Sequence, residues 1–410
     1  MKVLFCSSEL PVLNVHNTYQ GGGWILSLVK EIRKIDDLIV GYSYLDSKSE
    51  ETKLIDGISL FPIKPLEHSY INQLKLFLGG DYKVAERRIW GYYFSEFRKI
   101  LSVFKPDVIY VFGTENYFGL ISQIAVVPVV LHLQGLLSPC LNAYMPPGFS
   151  WYHHVFSPYS FYREKMTRIE FERSCYREKT IIKSCKYFFG RTEWDNHFIE
   201  ILNPNCCYVK NWEILRDPFY MVEQRCIPQA LSIVSIISSP LYKGYDLILK
   251  TAKIIKCARS VQFEWKVFGN VQPATVENHI GIKHEDVNVN LLGVATPETL
   301  KKEILNSTVY VHPSYIDNSP NSVCEAQILG STVIATNVGG VSSLIEEGKT
   351  GFLVPANDPY EMAYVILSLY NNRELNETIG KKSKILACKR HDKDVIINMI
   401  CKILREMSES

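Results

Sequence analysis

No window of this 410-residue chain approaches the run of about 20 uninterrupted apolar residues that a membrane-spanning helix needs. The opening MKVLFCSSEL is interrupted by Ser and Glu too soon to be read as an export signal. Net charge is scarce as well: a formal +2 gives no basic domain or stripe, which sets nucleic acid aside as a partner. The eleven cysteines are scattered, odd in number and without any C-x-x-C spacing, so they read as reduced thiols rather than a disulfide framework. The adjacent Cys206 and Cys207 lack the companion His/Cys pair of a zinc site, and no DxD-like acidic cluster stands out, so no metal is expected. No G-x-G-x-x-G follows the first strand with an acid about 20 residues on, which argues against a Rossmann oxidoreductase. Internal repeats and low-complexity tracts are also missing.

What is present is material for two cores. A chain this long exceeds what one hydrophobic core organises, so two α/β domains with a cleft between them are expected. Short β-branched and aromatic runs alternate with longer amphipathic stretches, the rhythm of βαβ units and parallel sheets. The first half offers Val3–Cys6, Ile39–Tyr42, Val108–Phe112, Val127–Leu131 and Tyr187–Phe189 as strands. The second offers Leu231–Ile237, Trp265–Phe268, Val287–Leu291, Val309–His312 and Val333–Thr336. Tyr208–Pro228 shows no sustained period and reads as the interdomain connection. This divides the chain into 1–225, 226–390 and a helical tail, 391–410, of the kind that crosses back to the first lobe.

The densest chemistry lies in His312–Gly351, HPSYIDNSPNSVCEAQILGSTVIATNVGGVSSLIEEGKTG. A strand ends at His312, a polar turn follows, and a helix opens at about Pro320 and stops at Gly330, with proline and glycine as its punctuation. A loop that leaves a strand's carboxyl end and opens on a helix is where an open α/β sheet binds ligands. Amides of Ser319 to Val323 would meet an anion there, a diphosphate being the apt guest, and Ser319, Asn321 and Ser322 add side-chain donors. Asp317 and Glu325 flank the turn, placed either to accept hydrogen bonds from vicinal sugar hydroxyls or to be solvated surface acids. Gly339 and Gly340 close the next strand, where backbone without a Cβ can come close to a ligand.

Two other loops carry weaker signals. In SSPLYKGYDLILKTA, Lys243 stands at a helix mouth and reads either as a phosphate-neutralising cation or as an exposed cap. Gly21, Gly22 and Gly23 link the first strand to a helix and would let backbone amides approach a phosphate or sugar. His132, in LHLQGL, ends a buried strand, and Arg191, in FFGRTEWD, follows another; each fits a core or salt-bridge role or a cleft role. From Tyr144 to Lys186 aromatic residues interleave with bases, fitting sugar stacking, peripheral contact with a membrane, or a core helix with a solvated face.

The segment from His312 to Gly351 resembles glycosyltransferase family 4, a retaining group with the GT-B fold of two Rossmann-like domains. The resemblance implies that Glu325 holds the nucleotide ribose, that Asp317 contacts the transferred sugar, and that His132 lies beside it. It places Lys243 and the residue five positions earlier, Ser238, on the diphosphate, with Arg191 as a supplementary cation and Gly269 and Leu292–Ala295 around the base. The sequence departs from the pattern in three places: Asp317 stands for a Glu, Ser238 for an Arg, and Ser343 lies near the position of another Glu. The implied activity is metal-independent transfer of a hexose-type sugar from a nucleoside-diphosphate sugar to a glycan or lipid-linked acceptor, with retention by same-face attack. The context such relatives serve is capsule or lipopolysaccharide synthesis, in the cytoplasm or peripherally on the inner membrane. Two rivals remain: a non-catalytic GT-B protein that binds nucleotide sugar or glycan as an assembly partner, and a GT-B nucleotide-sugar epimerase.

Overall fold

Strands of this chain are short because their apolar runs are short, and most are buried along their whole length, as parallel strands covered on both faces must be. The structure, a computed structural model, describes residues 1–10, 23–49, 51–66, 70–151, 157–221, 223–238, 240–258 and 261–409.

The first sheet contains β1 (Lys2–Cys6), β2 (Ile39–Leu45), β3 (Lys53–Ile55), β4 (Ile58–Ile63), β5 (Val108–Phe112), β6 (Val129–His132), β7 (Tyr187–Gly190) and β8 (Cys207–Lys210). Their order is β3-β4-β2-β1-β5-β6-β7-β8, parallel throughout except for the β3/β4 pair. The accompanying helices are α1 (Gly23–Ile32), α2 (Tyr70–Phe77), α3 (Tyr82–Phe104), α4 (Leu137–Asn142), α5 (Pro158–Ser184) and α6 (Glu193–Leu202).

The second sheet contains β9 (Leu231–Ile236), β10 (Phe263–Phe268), β11 (Val289–Gly293), β12 (Val309–His312), β13 (Val333–Thr336) and β14 (Phe352–Val354), all parallel in the order β11-β10-β9-β12-β13-β14. Around it pack α7 (Tyr245–Ala258), α8 (Pro273–Ile280), α9 (Pro297–Leu305), α10 (Asn321–Ile328), α11 (Pro359–Asn371) and α12 (Arg373–Arg390). The last helix, α13 (Lys393–Ser408), buries Ile396, Ile400, Leu404 and Met407 against Val3, Phe5 and Leu28 of the first domain. Its apolar residues recur at helical spacing, so one face of the tail becomes part of a core far away in sequence.

β14 is the short strand that the sequence reads within EEGKTGFLVPANDPYEMA, whereas β3, β4 and β8 fall where the sequence showed no signal. β3 and β4 are an edge hairpin, and β8 takes Tyr208–Lys210 out of the expected connection to form the opposite edge. A four-residue edge strand draws its definition from its neighbour β7, not from a period of its own. Val127 and Val287 lie outside the strands they were expected to open, since Pro128 follows the first and the second ends a short 3-10 turn. The connection itself is packed: Ile214 enters the first domain's core, while Leu215 and Phe219 enter the second's.

Candidate donor site between the two domains

The chain runs β9, β10, β11 toward one edge of the second sheet and β12, β13, β14 toward the other, so the crossovers part between β9 and β12. That reversal opens a crevice at the strands' carboxyl ends. A cavity of about 660 Å³ sits there, bounded by Ser238 after β9, Gly269 after β10, His312 at the end of β12 and Asn321 and Ser322 at the start of α10. Gly23, at the head of α1, closes it from the first domain.

Two ion pairs face this cavity. Lys243 Nζ lies 2.7 Å from Asp317 Oδ2, which also takes His312 Nε2 at 3.2 Å and the Ser314 hydroxyl at 3.4 Å. Burial alone would raise the Asp317 carboxyl, but Lys243 and then His312 outweigh it and hold it well below the usual carboxylate range. Glu325, 2% exposed, accepts both Nε and Nη2 of Arg216 at 2.6 Å each, a bidentate fork. Burial pushes the Glu325 carboxyl up, the guanidinium opposes, and Glu213 adds to the rise, leaving it above its ordinary value.

The amide end of α10 that is open to the cavity is narrower than the expected Ser319–Val323 cradle. Pro320 is the N-cap and has no amide hydrogen, and Val323 N is already bonded to Pro320 O at 2.9 Å, its side chain in the core. Asn321 and Ser322, both at the cavity wall, stand at the first two helical positions, where amides precede the intrahelical ladder. Asn321 Oδ1 is buried without a hydrogen-bond partner among the described residues. Ser319 is turned away, its hydroxyl donating to Glu213 Oε1 at 3.0 Å.

Gly339 and Gly340 serve the Asp317–Asn318 turn from behind instead of lining the cavity. Gly339 has φ +51°, and a Cβ there would collide with the Asp317 carbonyl; Gly340 N donates to that same oxygen at 3.0 Å. Only bare backbone lets the β13 loop come this close. Gly269, at φ +113°, likewise leaves no room for a Cβ beside the Ile237 carbonyl.

His132 and Arg191 lie in the first domain, away from the cavity wall. His132 is fully buried, with Nδ1 2.5 Å from the Tyr110 hydroxyl and its ring 4.7 Å from that of Trp24. Burial, and then Arg191, push its pKa well below the ordinary value, so the ring is neutral at pH 7. Arg191 is held over the Trp24 ring at 4.4 Å and pairs with Glu213 at 3.5 Å. Gly21 and Gly22 lie outside the described residues, as do 152–156 of the aromatic stretch.

Sequence reasoning passed over Arg216, Asn318 and Glu213. Arg216 comes from the aperiodic connection, 109 residues before its partner Glu325, and no local pattern marks it. Asn318 and Glu213 are similarly uninformative in isolation. Glu213, Cys324 and His391 bring an oxygen, a sulfur and a ring nitrogen within 4.8 Å of one another in the buried hinge. A cation there would meet the Arg191 guanidinium, which already balances the Glu213 charge.

Two Rossmann-like sheets facing each other, with a ligand crevice on the second and a tail helix returning to the first, define the GT-B architecture. Solved structures agree on the fold: sucrose-phosphate synthase from Thermosynechococcus elongatus aligns with a TM-score of 0.69 at 16% identity, over 99% of this chain and 98% of that one. Anabaena Alr3699/HepE, solved in complex with UDP, aligns with a TM-score of 0.64 at 15% identity, over 99% and 100% of the two chains. Residues 231–385, most of the second domain, match the family model described as Glycosyl transferases group 1. Among curated proteins, the D-inositol 3-phosphate glycosyltransferase of Paenarthrobacter aurescens is 30% identical over 146 residues, 34% of this chain and 35% of that one. The capsular polysaccharide biosynthesis glycosyltransferase CapM of Staphylococcus aureus is 29% identical over 202 residues, 48% and 46% of the two chains. In sequence, the match spans about a third to a half of these relatives' own length.

Proposed function

We propose that this protein is a retaining glycosyltransferase that moves a hexose-type sugar from a nucleoside-diphosphate sugar to a glycan or lipid-linked acceptor. The observation that carries the reading is the cavity at the β9/β12 switch, where Lys243 and the amide end of α10 converge with Asp317 and Glu325. Departure of a nucleoside diphosphate builds negative charge on its phosphate, and donors fixed in advance at that point lower the barrier. Lys243 and the Asn321 and Ser322 amides supply them. Glu325 accepts from the ribose hydroxyls, and Asp317 from the sugar.

Same-face attack, with the leaving phosphate taking the acceptor's proton, fits this set better than a covalent intermediate. Asp317 is the carboxylate on the sugar side, and it is tied down by Lys243, His312 and Ser314. Both cavity acids are already matched to side-chain cations, which favours a reaction without a divalent metal. The capsular relative supports a place in surface polysaccharide synthesis.

Among the described residues no helix is long and apolar enough to cross a membrane. Peripheral contact is supported by a patch that exposes Leu74 on α2, Leu78 just after it, and Tyr159 and Phe161 on α5, with Lys165 over the Phe77 ring. Failure to float with anionic liposomes would remove that part of the proposal.

The test of the whole is a thermal-stabilisation panel of UDP-, GDP- and ADP-sugars, followed by transfer to candidate acceptors in the presence of EDTA. Formation of an α-linked product from an α-linked donor is expected. Binding without transfer or hydrolysis would favour a sugar-binding assembly protein, and donor conversion without acceptor would favour an epimerase.

A further inference from the structure

We infer that Arg216, from the connection between the domains, is the second cation that grips the donor's diphosphate. The inference rests on the donor reading above and adds a binding residue to it. A diphosphate brings about two negative charges into a partly dry site, where each must meet a donor or a cation. Among the described residues at the cavity wall, Lys243 and Arg216 are the two that carry a permanent positive charge. Ser238, at the end of β9, contributes at most a hydroxyl.

Among the described residues, Arg216 is held in this position from three sides. Its guanidinium lies 5.0 Å from the Phe219 ring centroid, and its Nε and Nη2 edge is held by Glu325. On the third side its Cδ lies 2.9 Å from where a Cβ of residue 23 would stand, so the first domain can close on it only because that residue is Gly23. The side chain is 20% exposed although its partner Glu325 is 2% exposed, which leaves the cation, and not the acid, as the more open member at the cavity. A guanidinium has five N–H donors in a fixed fork, so it can serve a carboxylate and a phosphate together where an ammonium would have to choose.

The two cations approach from different bodies, Lys243 from the second domain and Arg216 from the connection that packs into both cores. A diphosphate bridging them therefore ties donor binding to the relative position of the domains. Arg216 thereby has two tasks, holding Glu325 for the ribose and meeting the phosphate, and these separate experimentally.

The experiment is calorimetric titration of the full chain with UDP, GDP and ADP and with uridine, guanosine and adenosine. Because Arg216→Met alone leaves Glu325 buried without its partner, the decisive comparison is Glu325→Gln against the double variant Glu325→Gln/Arg216→Met. The double variant is expected to bind the preferred diphosphate at least about tenfold more weakly than Glu325→Gln, while binding of the matching nucleoside stays level. Arg216→Lys, with charge but no fork, should fall between wild type and Arg216→Met. Equal losses for nucleoside and diphosphate, or no loss for either, overturn the inference and leave Arg216 as a support for Glu325. If wild type binds none of the three diphosphates, the donor reading itself fails and takes the inference with it.

Discussion

Asn318 bridges to Asp195 across the two domains: its buried Nδ2 donates to Asp195 Oδ2 at 2.9 Å, while its Oδ1 accepts from the Thr192 hydroxyl at 2.7 Å. The same Nδ2 lies 3.2 Å from the Gln134 carbonyl. This contact is adjacent in sequence to Asp317, so the residue proposed to meet the sugar sits beside the bond between the domains. Asn318→Ala removes these bonds and leaves the Asp195 carboxylate short of a donor, at a cost of about 1 to 3 kcal/mol. Chemical denaturation should show that loss, and activity should fall more through turnover than through donor binding. Unchanged stability would mean the domains do not depend on this contact.

Glu325 is the test of ribose recognition. Glu325→Ala is expected to weaken nucleoside-diphosphate binding by roughly 1 to 3 kcal/mol, the worth of a charged hydrogen-bond acceptor. It should also erase any preference for a ribonucleotide over its 2′,3′-dideoxy analogue, measured by calorimetry. A preference that survives intact places the ribose elsewhere.

Glu86 on α3 is fully buried between Arg173 and Arg177 of α5, at 2.9 and 2.7 Å. The pairing orients α5, whose Glu178 accepts the Leu137 and Ser138 amides at 2.7 and 2.9 Å and so sets the start of α4. Removing the shared acid leaves buried Arg173 with Glu170 as its remaining acid and buried Arg177 with the Glu115 carbonyl and Ser174, and breaking a buried pair typically loses about 3 to 5 kcal/mol. Glu86→Ala should therefore lower the urea midpoint sharply, with Glu86→Gln intermediate. A midpoint within error of wild type would contradict the packing.

Glu115, in the loop after β5, accepts the Gly135 amide at 3.2 Å, and burial pushes its carboxyl from the ordinary 4.5 up to about 7. The fold thus prefers the protonated form. Its contribution to stability is present below the unfolded value of 4.5 and is lost as pH rises through about 7. Glu115→Gln should accordingly gain melting temperature relative to wild type on going from about pH 5 to about pH 8. An identical difference at both pH values would show that the carboxyl is not raised.

Much of the second domain was legible in the sequence because its signals are local. Val309–His312 and Val333–Thr336 are continuous apolar runs ending at a polar turn and a Gly pair, and the strands have those bounds. Asp317, Lys243, Asn321 and Ser322 stand beside such strand and helix ends, and they meet at one cavity. The edge strands β3, β4 and β8 left no comparable trace, since their pairing comes from a neighbour.

Local pattern by itself determined that this chain makes two parallel α/β domains and that the loop before α10 faces a crevice, because period and turn chemistry act over a few residues. Tertiary structure alone decided how each acid is balanced: Glu325 takes Arg216 from 109 positions away, and Ser319 turns to Glu213 in the hinge. It also decided that His132 and Arg191 both pack on Trp24 within the first domain. Charge pairing and burial depend on which segments share a space, and that information lies in the packing of distant elements and in no stretch of sequence.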